Sequence, residues 1–134
     1  MPNSMQLLRL TGLAEVAYAY GAAVPSGSKL LFLAGACPLD SGGDTVGVGD
    51  YGAQAAQCVR NLRTTLQEAD ASLDDVVSTR VLVASNRRED LVTAWGVVRD
   101  AFAPHDPPST LLGVTVLGYN HQLVEVEAIA AIGP

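Results

Sequence analysis

The sequence predicts an α+β fold in which two helices pack on one face of a single mixed β-sheet. Three observations carry this expectation. The apolar period switches repeatedly between strand and helix spacing, each helical segment carries one apolar stripe, and the intervening strands are rich in β-branched residues. A chain of 134 residues, 49% of them hydrophobic, fits one domain spanning 1–134, at roughly 100–200 residues per domain. No internal repeat or low-complexity tract interrupts it.

In chain order, Val16–Val24 and Leu30–Leu33 flank Pro25-Ser26-Gly27-Ser28 and read as a β-hairpin. From Asp50 the period becomes helical. Ala55, Val59, Leu62, Leu66 and Ala69 form one stripe, with Arg60, Arg63 and Gln67 off it. Asp50 suits the N-cap, because its carboxylate accepts from first-turn N–H groups. Val76–Val83 is a β-branched strand. Asn86-Arg87-Arg88-Glu89 has the spacing of a capping box and opens a second helix with the stripe Leu91, Trp95, Val98 and Phe102. Pro107-Pro108 keeps that helix from continuing. Two strands close the chain, Thr110–Leu117 and Leu123–Ile132, around a break at Gly118-Tyr119-Asn120. Helices on one face leave the other face apolar and uncovered, so burial against copies of the same chain, a homo-oligomer, is expected.

Composition narrows the function. Eight Lys plus Arg against 14 Asp plus Glu give a net charge of -6. Such a balance repels phosphate and argues against a general nucleic-acid binder. Apolar runs fall far short of the ~20 residues of a membrane span. No basic-then-apolar leader follows Met1-Pro2-Asn3-Ser4, and two cysteines do not make a disulfide framework, so a reducing cytoplasm is expected.

Several residues invite a chemical reading. Glu125 and Glu127 alternate with Val124, Val126 and Ala128, which puts both carboxylates on one strand face about 7 Å apart. They form either a solvated face or a carboxylate site whose partial desolvation suits general acid–base work; spacing alone leaves both open. Ser109 and Thr110 stand at a strand entrance, where hydroxyls satisfy nearby backbone or donate to a ligand. Gly35, between Ala34 and Ala36, marks a bulge or a close approach of ligand to backbone. Tyr18 and Tyr20 share a side of their strand, for packing or for a phenol over a ligand. Cys58 reads as a small buried hydrophobe, and neither it nor Cys37 has the spacing of a redox or nucleophilic pair. His105 and His121 fall in loops without metal-ligand spacing, and Gly42-Gly43 lacks the lysine of a phosphate loop.

The stretch Val124-Glu125-Val126-Glu127-Ala128-Ile129-Ala130 resembles the closing strand of the Rid family, known also as YjgF and endoribonuclease L-PSP. Leu31-Phe32-Leu33-Ala34-Gly35, Pro38-Leu39-Asp40, Asn61-Leu62 and Asp75-Val76-Val77 match it too, and the likeness runs from about Leu13 to Ile132. It implies a chorismate-mutase-like fold, a homotrimer with ligand clefts between subunits, and cofactor-free hydrolysis of 2-imino acids to 2-keto acids and ammonia. Carried onto this chain, the water-positioning glutamate is Glu125, the ligand-facing glycine Gly35, and the cleft tyrosine Tyr18.

The departures are specific. Deaminating members of the family hold the substrate carboxylate with an arginine in a Pro-x-Arg-Ser context. This chain reads Pro107-Pro108-Ser109-Thr110, with Ser109 in the arginine's place and Thr110 matching the serine. Leu111 replaces a cysteine common near the ligand, and Trp95 stands at or beside a helix-two asparagine. Losing a charge-assisted bond costs about 1.5–3 kcal/mol, on the order of 10- to 150-fold in affinity. Arg80, or Lys29 of the partner subunit, are candidates to restore the charge from elsewhere. The expectation is a Rid-like deaminase of reactive imines or enamines. Glu125 is its catalytic residue, and Tyr18, Gly35, Ser109, Thr110 and Leu111 contact an imine, enamine or keto-acid-like ligand. The competing expectation is a trimeric small-molecule binding module without turnover.

Overall fold

The computed structural model describes residues 5–10 and 12–134; Met1–Ser4, where a leader was sought, lie outside the described residues. The elements are β1 (Gln6–Leu8), β2 (Gly21–Ala23), β3 (Lys29–Phe32), α1 (Tyr51–Glu68), β4 (Val76–Ala84), α2 (Arg88–Phe102), β5 (Ser109–Val114) and β6 (Val124–Ile132). The main sheet runs β3-β6-β4-β5. Its β3–β6 and β6–β4 pairs are antiparallel and β4–β5 is parallel, so the sheet is mixed as expected. The parallel pair needs a crossover, which α2 supplies.

Period-2 alternation sorts the faces. Val81 and Val83 of β4 and Val124, Val126, Ala128 and Ala130 of β6 point to one side. There they meet Ala55, Val59, Leu62 and Leu66 of α1 and Ala94, Val98 and Phe102 of α2 in one buried cluster. The α1 stripe thus lies where its spacing places it, apart from Ala69, which is the half-buried C-cap. Asp50 caps α1 as expected, its carboxylate accepting from the Ala53 amide at 2.9 Å. The opposite sheet face carries no helix. Leu30, Phe32, Leu112 and Ile129 lie exposed on it, Phe32 at 74%.

Three local expectations are corrected. The residues around β2 and β3 do not form a hairpin: β2 pairs with β1, whereas β3 pairs with β6. The nine-residue β6 offers Leu31 a core-facing register beside Ala130, which Gly21–Ala23 with its small side chains cannot match. Second, Asn86 is not a cap. Arg87 occupies the N-cap of α2 without a side-chain cap bond. Ser85 Oγ accepts from the Arg87 amide at 3.0 Å and donates to Asp90 at 2.7 Å, while Glu89 takes the Arg87 guanidinium at 2.7 Å. Third, the strand expected over Thr110–Leu117 covers Ser109–Val114. Its partner β4 ends at Ala84, opposite Val114, and leaves residues 115–117 nothing to pair with.

Two substitutions separate core from cap. Leu62 is buried among both helices and the sheet, so Leu62→Ala should cost about 2–5 kcal/mol in denaturant unfolding. Asp50→Ala should cost about 1 kcal/mol in the same measurement.

Candidate functional site

Glu125 and Glu127 sit together on the helix-free face of β6, as their alternation predicts. Beyond β3 the chain continues along β6. Ala36 and Val126 exchange backbone hydrogen bonds of 2.7 and 3.0 Å, which sets Gly35 and Cys37 on either side of Ala36 beside the Glu125 carboxylate. A Cβ on Gly35 would lie 2.3 Å from Glu125 Oε2. Only glycine leaves room for the carboxylate in this position.

The other oxygen of Glu125 is taken. Gln122 Nε2 donates to Oε1 at 3.2 Å, and the Cys37 thiol donates to the same atom at 3.3 Å. The Cys37 pKa is pushed up to about 11, first by burial and then by its hydrogen bond to Glu125 and that residue's charge. The thiol therefore stays protonated at neutral pH and remains a donor. Burial pushes Cys58 up as well, in keeping with a small interior hydrophobe.

The loops that hold these groups are tied to α1. Asn61 Nδ2 donates to the carbonyls of Cys37 and Leu39 at 2.8 and 2.9 Å. Gln54, fully buried, donates to Gly47 O and His121 O and accepts from the Leu123 amide at 2.7 Å. A hollow of about 250 Å³ opens beside Gly35 and Cys37, bounded by Asn61, Thr65 and Tyr119.

The remaining expected residues gather elsewhere. Tyr18, Trp95, Ser109, Thr110 and Leu111 line a hollow of about 450 Å³. The Tyr18 ring meets Trp95 edge-on at 6.3 Å and Tyr20 at 6.2 Å. Ser109 lies opposite Thr79 on the helix side of the sheet. Its hydroxyl lies 2.5 Å from Thr79 Oγ1 and donates to Pro107 O at 3.0 Å. That single proton is committed to the protein, so Ser109 has none to give a ligand carboxylate. Thr110 is exposed on the open side. Among the described residues no charged side chain lines this hollow. Arg80 stands opposite Thr110 in the ladder, and its Nε lies 3.3 Å from Glu127 Oε1, forming an ion pair without hydrogen-bond alignment. Lys29 is exposed at the start of β3. A larger, open depression of about 990 Å³ surrounds the start of α2, but its Arg87 is neutralised by Glu89.

Within one chain the expected site residues thus fall in two groups, Gly35 with Glu125 and Tyr18 with Ser109, Thr110 and Leu111. Sequence reasoning missed Gln122, Asn61 and Gln54 as holders of the first group. The available signal for Gln54 was a glutamine one turn before Cys58 on the buried stripe. Gln122 had none, because its partner lies three residues on in a strand.

The family model for endoribonuclease L-PSP matches residues 13–132. The chain belongs to the Rid family. A RutC family protein of Pyrococcus abyssi is 32% identical over 111 residues, covering 83% of this chain and 84% of that protein. The Rid family structure YyfB from Yersinia pestis is similar with a TM-score of 0.88 at 25% identity, over 96% of this chain and 98% of that one. A member of the YjgF/YER057c/UK114 family from Mycobacterium tuberculosis has a TM-score of 0.65 at 27% identity, over 96% of this chain and 100% of that one. Membership and the two-helix mixed-sheet fold agree with the resemblance read from the closing strand. Among the described residues of this Rid protein, no helix is long and apolar enough to cross a membrane.

Gly35→Ala tests the close approach. The three atoms nearest its added methyl all belong to the Glu125 side chain, so that side chain must swing away while the fold persists. The expected outcome is a stability change of about 1 kcal/mol or less, with Glu125 displaced in a crystal structure of the variant.

Proposed function

We propose that this Rid protein is a cofactor-independent hydrolase of reactive imines or enamines, releasing ammonia and a carbonyl compound. The observation that carries the reading is Glu125, held through Oε1 with Oε2 open against the Gly35 backbone. A carboxylate so held can take a proton from water as the water oxygen bonds to the imine carbon. That proton passes to nitrogen, giving a carbinolamine; the carboxylate then moves the carbinol O–H proton to nitrogen, the C–N bond breaks as ammonia leaves with its electron pair, and the carbinol oxygen becomes the carbonyl. The carboxylate is returned unchanged.

The two half-sites require a neighbour. We propose a homotrimer in which the apolar sheet faces bearing Phe32, Leu30 and Ile129 are buried, and in which the Tyr18–Thr110 hollow of one copy meets Glu125 of the next. Tyr18 and Leu111 would wall the substrate, and the Thr110 hydroxyl and the Gly35 backbone would hold its polar end. Ser109 would shape the wall through its backbone, since its hydroxyl is engaged. With no cation lining that hollow, the substrate is less anionic than a 2-imino acid. A net charge of -6 weighs against ribonuclease action, despite the family's descriptive name. Two free cysteines suit a reducing cytoplasm.

The absent arginine supports a second reading, a trimeric module that binds small molecules without turnover. One experiment separates the two. Glu125→Gln should lower ammonia release from 2-iminobutanoate or a less anionic imine at least about 100-fold, with the light-scattering mass of a trimer unchanged. Thermal stabilisation of the wild type by such ligands, without ammonia, would select the binding module instead.

A further inference from the structure

Gln122 is an interior polar residue that bonds its own turn and strand and the Glu125 carboxylate. It is 5% exposed. Its carbonyl oxygen accepts from the Tyr119 amide at 3.0 Å, and its amide nitrogen donates to Val124 O at 3.1 Å and to Glu125 Oε1 at 3.2 Å. With both amide hydrogens used, the side chain has one orientation. The turn that presents it is fixed as well. His121 takes a left-handed backbone with φ 62°, and its carbonyl accepts from buried Gln54 at 2.9 Å. Gln54 also accepts from the Leu123 amide, so the backbone is pinned on both sides of Gln122.

Cys37 reaches the same oxygen from a different loop. Its backbone is held by the Asn61 bond to its carbonyl, and its thiol lies 3.3 Å from Glu125 Oε1 against 3.5 Å from Gly35 O. Two donors from two separately anchored loops thus converge on one carboxylate oxygen, and none among the described residues reaches the other. Neither donor was singled out as a functional residue by the sequence.

We propose that Gln122 and Cys37 are positioning residues that clamp Oε1 of Glu125, so that Oε2 alone meets water and substrate. The inference rests on the hydrolase reading for its kinetic consequence, but the clamp exists whether or not turnover occurs. Its physics is that two donors on one oxygen halt rotation about the carboxylate's last bond. Removing a donor frees the carboxylate to rotate, which lowers kcat with little change in KM. A side chain needed only for packing would move stability and leave kcat alone.

The experiment uses the full-length protein and four variants, Gln122→Met, Cys37→Ala, Cys37→Ser and Glu125→Gln. Expected for Gln122→Met is a fall in kcat of about tenfold with KM nearly unchanged. Cys37→Ala should lower kcat in the same way, and Cys37→Ser, which keeps a donor, should restore it toward wild type. An unchanged kcat in both Gln122→Met and Cys37→Ala, each melting as a folded protein, overturns the clamp.

A second arm needs no substrate. The rate of Cys37 alkylation by iodoacetamide at pH 8–9 reports thiolate formation beside the carboxylate. In Glu125→Gln the opposing charge is gone, and alkylation should quicken about three- to tenfold. The Cys37→Ala protein corrects for Cys58. Equal rates in wild type and Glu125→Gln mean the thiol does not face Glu125, which overturns the Cys37 half of the clamp. If wild type turns over no imine, the hydrolase reading fails and this arm still decides.

Discussion

Everything in this molecule depends on the alternation along β6. One strand supplies Val124, Val126, Ala128 and Ala130 to the core and, from the positions between, Glu125 and Glu127 to the helix-free face. A register slip of one residue would exchange the two sets, driving two carboxylates under the helices and four apolar side chains into the open. The cost of burying unpaired charge makes that slip prohibitive, so the same hydrophobic burial that stabilises the fold also fixes where the acid points. β6 is flanked on both sides, by β3 and the Ala36 bridge on one edge and by β4 on the other. A carboxylate on such a strand inherits the rigidity of the sheet's centre.

The loops facing Glu125 have no such ladder, and their order comes from buried amides instead. Gln54 and Asn61 project from α1 and satisfy backbone groups of the 121–123 turn and of residues 37–39. Each amide side chain carries both donors and an acceptor, which is what a turn with orphaned carbonyls and N–H groups requires. These bonds make α1 a template for the site as well as a cover for the sheet. Replacing either residue with an apolar one would leave backbone groups unsatisfied in the interior, a cost of about 1–3 kcal/mol for each orphaned group.

Legibility in the sequence followed the range of the interactions. The α1 stripe, the Asp50 cap and the alternation of β6 are local and periodic, and the sequence showed them directly. The pairing of β3 was misread because a hairpin is the nearest partner in sequence, whereas the partner that buries Leu31 lies a hundred residues away. The Asn86 box failed for a different reason. Ser85 lies one residue earlier and reaches both the Arg87 amide and Asp90, while Arg87 draws Glu89 aside. At the site, Glu125 and Gly35 were legible through the family pattern. The hydroxyl of Ser109 was not, because its commitment to Pro107 and proximity to Thr79 depend on a parallel strand pairing that spacing does not reveal.

The exchange of an arginine for Ser109 has a consequence for the whole of the second half-site. An arginine there would bring a cation that needs an anion from the ligand or a neighbour, since an unpaired charge in a sheltered cleft is costly. Ser109 instead closes its hydrogen bonds within its own chain, and Trp95 and Tyr18 supply apolar surface beside it. The cation that lies nearest in the ladder, Arg80, is drawn to Glu127 on the opposite sheet face, two residues from Glu125. Charge that the family pattern places with the substrate's carboxylate is therefore held on the same face as the acid. On the proposed hydrolase reading, discrimination falls to shape and apolar contact, which separate ligands by about 1–3 kcal/mol per methylene, and the chemistry to a carboxylate held by Gln122 and Cys37.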